Sequence, residues 1–600
     1  MNSVHHSAPD VVVLGAGING AGLARELVLN GASVTVIEAG DIASGTTSWS
    51  SRLVHGGLRY LEYGEVSLVR ESLLERERLV RLAPHLVQPL GFYVPVRGRF
   101  GGLLSAAARI LGWESMAKRC ASRRGRGAWT VGAGLTMYDL LSWGSAWPRH
   151  RMVRAGLPGM PGVDAARYPQ ACLYTDAQML FPERFTVELL IDARRIAASR
   201  GIPFAVITRA GARLEADGRL RVMSGMSGMG LGDAGAALLL APRSLVNATG
   251  AWVDRTLGEL LPERTGGEQR RLIGGTKGSH LLIDSSQLRR ALGSRGVYAE
   301  AADGRPMFVL PFGGRLVLVG TTDIPFSGDP ATARADDAEI DYLLAAVGVL
   351  FPAVAPRRSD VVQHYCGVRP LPATDGAPAG ITRRHMIVRR AGAPLPLWSI
   401  VGGKLTTCRS LAESAAAEIL TALSMPVTAT SRDRPLPGAV SAAARERIES
   451  PVAAWLEDAG LEPAEAKEAA RATVDLLGTA ALELIGMEGG LLAGSWLPTA
   501  AVHYCLASEW ATTLDDLIER RLMLAFDPDL ASRTLRAVAD AMVRAGAMES
   551  DAVEGEIATM TATLKQRYGK QLRGDTGEGH VDPLSRQDTD YPEKEPRHGR

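Results

Sequence analysis

The sequence predicts an α/β fold with an all-helical C-terminal region. A β-branched run, VVVLG, precedes a helical stretch that stops at Gly31 and a second short strand, ASVTVIEAG. Together they form a β-α-β unit of about thirty residues. Further strands are expected within residues 203–250 and 280–325, where apolar runs alternate with turns. From Pro437 to about Lys570, Ala, Leu and Glu recur at helical spacing without a β-rich run.

The length of the chain indicates more than one domain. Its 600 residues exceed what one ordinary core accommodates. We expect a large α/β domain over residues 1–430, a helical domain over 431–570 and a disordered, charged tail over 571–600, where apolar residues are sparse. The net charge of +2 argues against a chain built as a whole to bind nucleic acid.

The cysteines and histidines suggest neither a disulfide framework nor a metal site. Five cysteines stand singly without a CxxC pair, which is typical of a reducing compartment. The histidines show no metal-ligand spacing, so no metal is expected. No GxSxG motif supports hydrolase chemistry.

The apolar runs are too short for a membrane span. The N-terminal stretch MNSVHHSAPD is polar and predicts no secretory signal. The longest apolar run, near residues 343–355, is shorter than the roughly 18–20 residues that a span needs, and it contains Pro352. We therefore expect a cytoplasmic protein, with peripheral attachment to the cytoplasmic face of a membrane left open.

The first turn carries a dinucleotide-binding pattern. Gly15, Gly17 and Gly20 form GxGxxG between a strand and a helix, and Glu38 ends the next strand about twenty residues further on. Gly15 permits a tight turn, Gly17 lets the backbone touch a pyrophosphate, and Gly20 lets the helix pack close to the sheet. The helix N-terminus favours the anion, and Glu38 would accept from a ribose hydroxyl.

Two later segments favour FAD over a nicotinamide cofactor. LVNATGAWVD is a hydrophobic strand that ends in Ala-Thr-Gly at Gly250, where a chain can pass closely under a dinucleotide. SIVGGKLTTCRS is a strand, a glycine turn at Gly403 and a helix that starts near Leu405 and Thr406. Amide groups at that helix start would favour the negative charge of a reduced flavin.

Seven motifs occur in the order of one known family: GAGINGAG, TTSWSSRLVHGGLRYLE, LVNATGAWVD, TKGSH, VGTTDIPFSGDP, GVRPL and GGKLTT. Over roughly residues 10–430 the chain closely resembles the FAD-dependent, respiratory glycerol-3-phosphate dehydrogenases. The resemblance implies a Rossmann-like FAD domain of the glutathione-reductase and amine-oxidase type, with an interleaved mixed-sheet substrate domain. It also implies oxidation of sn-glycerol 3-phosphate to dihydroxyacetone phosphate in glycerol catabolism, electron transfer to a membrane quinone, and a homodimer.

Three segments depart from the family's pattern: the basic stretch 97–126, the Met- and Gly-rich excursion 223–235, and the tail after residue 571. None of them overlaps a motif. In the first, apolar residues and a tryptophan precede clustered cations, which is typical either of a segment lying on an anionic membrane or of a solvated basic helix.

The stretch SSRLVHGGLRYLE concentrates a histidine, two arginines and two serines around a pair of glycines. We expect Ser50 and Ser51 to hydrogen-bond near the FAD pyrophosphate, with Thr47 as a further cofactor contact. Gly56 and Gly57 would let the backbone lie close to the isoalloxazine ring.

His55, Arg59 and Tyr60 would then fall beside the flavin. The resemblance implies that Arg59 and Tyr60 line the substrate pocket. His55 is either a catalytic residue and cofactor contact or a structural histidine near the cofactor.

The predicted catalytic groups lie in the later motifs. Arg369 stands between Gly and Pro in CGVRPL, and its planar guanidinium can bind an alkoxide or a phosphate. The resemblance places Arg369 at the catalytic centre. Lys404 stands at a helix start, where a cation stabilises a reduced anion or a developing alkoxide. His280 in TKGSH is the leading general-base candidate because imidazole titrates near neutral pH, and a satisfied core histidine is the alternative.

Two more cations are candidate substrate ligands. Lys277 shares the TKGSH motif with His280. By the resemblance, Arg383 is the candidate phosphate ligand, although its neighbour Arg384 leaves that choice open by one position.

Other activities share these motifs. A glycerol-3-phosphate oxidase would use the same pocket with oxygen as acceptor, and an amine or amino-acid oxidase of the same fold would use FAD differently. A flavin-binding scaffold protein would hold FAD without turnover. The density of Arg and Lys at the motif positions favours a phosphorylated substrate over an amine, which cations repel.

Overall fold

The computed structural model describes residues 8–98, 127–224, 238–261, 271–373 and 384–574. Most of the basic stretch 97–126, nearly all of the excursion 223–235, the tail from residue 575 and the predicted phosphate ligand Arg383 lie outside these residues. Within these ranges, no helix is both long and apolar enough to cross a bilayer.

The elements alternate as the sequence pattern predicts. The helices are α1 Ile18–Leu29, α2 Val66–Leu82, α3 Ala128–Leu141, α4 Pro182–Arg200, α5 Val253–Leu260, α6 Ser286–Leu292, α7 Asp337–Leu350, α8 Cys408–Ala422, α9 Ala442–Asp458, α10 Pro463–Leu477, α11 Thr499–Ser508, α12 Ser532–Arg544 and α13 Val553–Tyr568. The strands are β1 Val11–Leu14, β2 Val34–Ile37, β3 Leu53–Val54, β4 Val87–Val96, β5 Arg151–Arg154, β6 Gln170–Met179, β7 Phe204–Ile207, β8 Ala210–Leu214, β9 Leu220–Ser224, β10 Leu238–Leu240, β11 Ser244–Asn247, β12 Thr276–Ile283, β13 Gly296–Glu300, β14 Pro306–Phe312, β15 Leu316–Gly320, β16 Ile324–Pro325, β17 Val361–Arg369, β18 Met386–Arg390 and β19 Leu397–Val401.

A six-stranded sheet carries the first β-α-β unit. Its order is β18-β19-β11-β1-β2-β7, and all neighbours are parallel except β18, which runs antiparallel to β19. β1 is buried along its whole length, as its VVVL sequence predicts for a strand covered on both faces. α1 packs against α4 and α8 on one face of this sheet.

A ten-stranded mixed sheet forms the second layer. Its main path is β16-β12-β15-β14-β13-β4-β6-β3, with β17 paired to β12 and β5 paired to β6. These strands come from chain segments that lie between the strands of the first sheet, so the two sheets are interleaved in sequence. The predicted fold class, an FAD-binding α/β domain with an interleaved mixed sheet and a helical C-terminal region, is confirmed.

The C-terminal helices share a core with the mixed sheet. Val452 and Leu564 from the helical region belong to the same buried cluster as Phe92 and Phe312 from the sheet. Between α11 and α12 the backbone forms a π-helical turn, Asp516–Arg521, which contacts the loop after β2 through Arg521 and Asp41. The helical region is therefore packed onto the body of the protein and is not a separate appendage.

Candidate active site

The glycine turn after β1 is built for a close approach of the backbone. Gly15 has a φ of +101°, and a Cβ there would lie 2.7 Å from the carbonyl oxygen of Ala248. A Cβ on Gly20 would lie 2.0 Å from the oxygen of Gly15, so a side chain would push α1 away from the turn. The N-cap residue Gly17 has no side chain to cap α1, so the N-terminal amides beyond that of Ile18, which donates to Thr47, can meet an anion.

Glu38 lies at the end of β2, beside this turn. Its Oε2 accepts from the amide of Ala16 at 2.7 Å and its Oε1 accepts from the amide of Gly40 at 2.8 Å. Burial raises the pKa of Glu38 above its usual value, although these amides oppose the effect. Each carboxylate oxygen keeps a further lone pair, so Glu38 can still accept from a ribose hydroxyl.

The loop from residue 43 to residue 51 runs over the helix start. Thr47 Oγ1 accepts from the amide of Ile18 at 3.1 Å, which ties the loop to α1. Ser51 Oγ lies 2.8 Å from Nε2 of His280, which connects the same loop to β12.

The next glycines have a different role from the one predicted. A Cβ on Gly56 would lie 2.4 Å from the hydroxyl of Tyr138, and a Cβ on Gly57 would lie 2.1 Å from the ring of Tyr60. The amide of Gly56 also donates to Tyr138 Oη at 3.0 Å. The expectation that these glycines make room for the flavin ring is therefore corrected, because tyrosine side chains occupy that space.

Tyr60 and Lys404 meet at the wall of a large cavity. Lys404 Nζ lies 3.8 Å from the centre of the Tyr60 ring, within the range of a cation–π interaction. The neighbouring Gly403 has a φ of +96°, and a Cβ there would press on the side chain of Asn19. The side chain of Arg59 lies outside the described part of the structure.

His55 is joined to the helix start at Thr406. The amide of His55 donates to Thr406 Oγ1 at 3.0 Å. Burial, helped by the nearby Lys404, lowers the pKa of His55 to about 4. At neutral pH His55 is therefore uncharged.

Arg369 ends β17 with its guanidinium fixed on several sides. It donates from Nη1 to Asp323 at 2.8 Å and from Nη2 to Thr321 Oγ1 at 2.9 Å. A Cβ on Gly278 would lie 2.3 Å from Nη2, so the missing side chain leaves room for the guanidinium. Arg369 is thus held in place by the protein before any ligand arrives.

His280 reaches the same cavity but does not titrate near neutral pH. Its side chain is stacked on Tyr365 with 4.9 Å between ring centres, and only 2% of the residue is exposed. Burial and the positive charges of Arg369 and Arg52 lower its pKa to about 3. The expectation that the His280 imidazole titrates near neutral pH is wrong, because this imidazole is neutral across the physiological range.

Lys277 is not part of the cavity. Its Nζ contacts Glu339 at 2.7 Å and Asp336 at 3.1 Å, on the opposite face of β12 from His280. Side chains alternate across a strand, so residues three positions apart cannot share a face. The prediction that Lys277 binds substrate is corrected for this reason.

The cavity has a volume of about 820 Å³, within the usual range for cofactor and ligand sites. From the predicted set it is lined by Gly15, Gly17, Glu38, Thr47, Ser50, Ser51, Tyr60, Gly250, His280, Arg369, Gly403, Lys404 and Leu405. Gly20, His55, Gly56, Gly57, Lys277 and Thr406 do not line it. Arg384, the alternative to Arg383, does line it.

Some of the cavity's charged residues were not predicted from the sequence. Asp41, Arg209, Asp515, Arg520 and Arg567 all line the cavity, and the last three come from the helical C-terminal region. Asp41 lies only three residues beyond Glu38, and this short spacing in the sequence could have indicated that it lies near the cavity. The others come from segments that carry no cofactor motif.

The family of the chain follows from comparison with known proteins. Residues 10–409 match the DAO family of FAD-dependent oxidoreductases, and the chain belongs to this family. FAD is therefore its cofactor. The residues of the cavity fit FAD. The glycine turn and the amides at the start of α1 suit its pyrophosphate, and the carboxylate of Glu38 at the end of β2 suits a ribose hydroxyl.

Within that family the chain is similar to several polyol-phosphate dehydrogenases. It is 38% identical over 456 residues to the glycerol-3-phosphate dehydrogenase of Synechocystis sp., over 73% of this chain and 74% of that protein. It is 33% identical over 419 residues to the aerobic glycerol-3-phosphate dehydrogenase of Escherichia coli, over 68% and 72%. It is 32% identical over 526 residues to the D-erythritol 1-phosphate dehydrogenase of Brucella abortus, over 85% and 93%. The resemblance inferred from the motifs is confirmed.

A solved structure shares the whole fold. The glycerol-3-phosphate dehydrogenase from Bacillus halodurans, complexed with FAD, superposes with a TM-score of 0.67. The match covers 93% of this chain and 95% of that chain at 22% identity.

Proposed function

We propose that the chain oxidises sn-glycerol 3-phosphate to dihydroxyacetone phosphate with FAD as its cofactor. The observation that supports this proposal is that Arg369, Lys404 and His280 line the same cavity as the glycine turn. Cations held beside a flavin site suit a small phosphorylated alcohol and disfavour an amine. Two of the relatives described above are named for this substrate.

The reaction needs a hydride acceptor, which FAD supplies when it is bound in the cavity. Arg369 would hold the substrate phosphate or the developing C2 alkoxide as a planar donor fork. Asp323 and Thr321 already fix the guanidinium, so Arg369 loses little conformational entropy when the substrate binds. Lys404 would stabilise negative charge that develops at the reacting centre.

The C2 hydroxyl must also lose its proton, and Nε2 of His280 is the acceptor that we propose. Ser51 Oγ lies 2.8 Å from Nε2, so the proton can reach the imidazole directly or through the serine hydroxyl. Burial and, after it, the charge of Arg369 lower the pKa of His280, and a bound phosphate dianion would offset the effect of that charge. His55, which does not line the cavity, would support the site through Thr406.

Anaerobic addition of glycerol 3-phosphate tests the proposal. We expect the absorption band of the oxidised flavin to bleach and dihydroxyacetone phosphate to form in equal amount. D-Erythritol 1-phosphate is the second candidate, because the relative named for it matches a larger share of both chains. A flavin that neither compound bleaches would contradict the proposal and favour a scaffold role.

We propose a membrane quinone as the electron acceptor, with oxygen as the alternative. Turnover that requires an added quinone analogue and releases no peroxide would support a dehydrogenase. Stoichiometric peroxide without a quinone would identify an oxidase.

A membrane contact is supported by one exposed apolar face. On α3, Trp129, Met137 and Leu140 are 61%, 45% and 57% exposed, and Trp143 just beyond is 72% exposed. Arg149 lies 4.9 Å from the ring of Trp143. Exposed tryptophans flanked by cations are typical of a surface that lies on anionic lipid.

We also propose that the protein forms a homodimer and is located in the cytoplasm. The molar mass in solution, measured by light scattering, tests the homodimer.

A further inference from the structure

Arg567, in the last turn of α13, lines the cavity although it lies 160 positions beyond Thr407, the end of the last cofactor motif. Its guanidinium carbon lies 4.6 Å from the centre of the Trp49 ring, on the loop that follows β2. Stacking on an aromatic ring holds a guanidinium in one plane while its N–H groups still point outward. Arg567 therefore connects the helical region to the loop that follows β2.

The chain around Arg567 is firmly anchored. The next residue, Tyr568, donates from its hydroxyl to Glu519 at 2.7 Å, and both groups are buried. A Cβ on Gly569 would lie 2.5 Å from the His364 ring, so the end of α13 abuts β17. The buried Lys570 then donates to the carbonyl of Asp527. Arg567 is thus a positioned cation and not a mobile surface side chain.

Arg567 differs in its partners from the five other arginines of the cavity, of which Arg384 donates to the hydroxyl of Ser67. Arg209, Arg255, Arg369 and Arg520 each contact a carboxylate. Within the described residues, Arg567 makes no hydrogen bond and no salt bridge. The two carboxylates that its charge influences, Asp515 and Glu519, are already in contact with Arg520. A planar cation without an anionic contact, facing a dinucleotide-sized cavity, is matched to an oxyanion that the protein does not contain.

We infer that Arg567 is a phosphate-binding residue, which the helical C-terminal region contributes to the FAD site. The phosphate is either the pyrophosphate of FAD or the phosphate of the substrate, and both offer the same acceptor geometry to a guanidinium. The second source rests on the proposed function, whereas the first does not. In either case the helical region completes a ligand site that the motif-bearing domain leaves open on one side.

The test compares Arg567→Met, which keeps the stem and removes the charge, with Lys565→Gln on the exposed face of the same turn. The full-length holoenzymes are diluted, and FAD release is followed by flavin fluorescence to give the dissociation constant. If Arg567 binds the pyrophosphate, Arg567→Met weakens FAD binding about ten- to hundredfold. Lys565→Gln leaves FAD binding unchanged.

The second measurement is an anaerobic titration of the FAD-saturated variants with glycerol 3-phosphate. If Arg567 binds the substrate phosphate, the concentration for half-bleaching rises about ten- to hundredfold in Arg567→Met while FAD affinity is unchanged. If both quantities match the wild type, the inference is overturned. A wild type that glycerol 3-phosphate does not bleach would sink the proposed function, but the FAD measurement would still decide on Arg567.

Arg567→Lys guards against a failure of the methionine variant to fold. Lysine keeps the charge but loses the planar fork, so the affected affinity should fall several-fold, by less than in the methionine variant. A lysine variant with wild-type affinity for both FAD and glycerol 3-phosphate, alongside an unfolded methionine variant, would show a purely structural role and overturn the inference.

Discussion

Ser51 and His280 are joined by a hydrogen bond of 2.8 Å between Oγ and Nε2, although 229 residues separate them in the chain. The bond connects the loop of the first sheet to β12 of the second, at the wall of the cavity. On its other side, Nδ1 of His280 is buried and has no hydrogen-bond partner among the described residues. The imidazole is therefore held neutral, with one nitrogen turned to the site.

The neutral His280 makes stability depend on pH. Its pKa is about 3 in the folded protein, against about 6.5 in an unfolded chain, so only the unfolded state gains a proton as the pH falls below about 6.5. By pH 5.5 this difference should cost about 1 kcal/mol of unfolding free energy. We expect the slope of stability against pH between 7 and 5 to become shallower in His280→Gln, as measured by denaturant unfolding. Ser51→Ala keeps the titrating ring and should retain the wild-type slope, and an unchanged slope in His280→Gln would rule the explanation out.

Arg369→Lys should impair substrate oxidation more than FAD binding. A lysine keeps the charge but cannot reproduce the planar donor fork that Asp323 and Thr321 orient. We expect kcat/KM for flavin reduction to fall about 10²- to 10³-fold, the usual cost of losing one positioned donor. Arg219→Lys, in the exposed turn between β8 and β9, is the matched control. If both variants had the same kcat/KM for flavin reduction, Arg369 would have no role at the reacting centre.

Gly15→Ala and Gly31→Ala separate backbone strain from steric exclusion. Both glycines have a positive φ, +101° and +91°, but only a Cβ on Gly15 meets other atoms within 4 Å. Gly31→Ala should cost about 1 kcal/mol, whereas Gly15→Ala should cost more and should also lower the FAD content of the purified protein. Chemical denaturation and flavin absorbance give the two quantities. The same loss in both variants would mean that the turn imposes no steric demand.

The buried pair of Asp41 and Arg521 joins the helical region to the loop that follows β2. Arg521 contacts Asp41 at 2.7 Å with both side chains at most 1% exposed. Although burial opposes it, Arg521 and Arg520 keep the pKa of Asp41 well below its usual value. Asp41→Asn should lower stability by about 3–5 kcal/mol, because the buried Arg521 loses its carboxylate partner, whereas Arg520 keeps Asp515 and Glu519. Asp217→Asn, at an exposed pair with Arg219, should leave Tm unchanged, and a stable Asp41→Asn protein would show that this ion pair does not hold the two regions together.

Membrane binding should depend on the exposed face of α3. We expect the double variant Trp129→Ser, Trp143→Ser to lose most of its co-sedimentation with anionic liposomes. The wild type should release the liposomes at high salt and should bind neutral vesicles weakly. Ile485→Ser, Met487→Ser removes exposed apolar side chains elsewhere and should bind as the wild type does. Equal binding by both double variants would place the contact on another surface.

The local parts of the site could be predicted from the sequence because their signals are local. Gly15, Gly17 and Glu38 lie within one β-α-β unit, and the structure brings all three to the cavity. The two-residue period of a strand also predicts which side chains of β12 lie on the same face, which the TKGSH motif alone does not show. Gly278 and His280 share the cavity face of β12, while Lys277 falls on the other face.

The remaining parts depend on long-range packing. Arg520 and Arg567 reach the cavity only because the helical region packs onto the mixed sheet, and no spacing within residues 431–574 shows which arginines do so. Likewise, the low pKa of His280 comes from burial and from Arg369 and Arg52, which lie far from it in sequence. Interactions of this kind can be identified only from the three-dimensional arrangement.

The walls of the cavity are supplied from Leu14 to Arg567, so the receptor for FAD is complete only when nearly the whole polypeptide has been synthesised. A nascent chain that has formed its glycine turn still lacks one side of the binding cleft. We therefore expect firm retention of the cofactor only in the last stage of biogenesis, once the helices that complete the cleft have been synthesised.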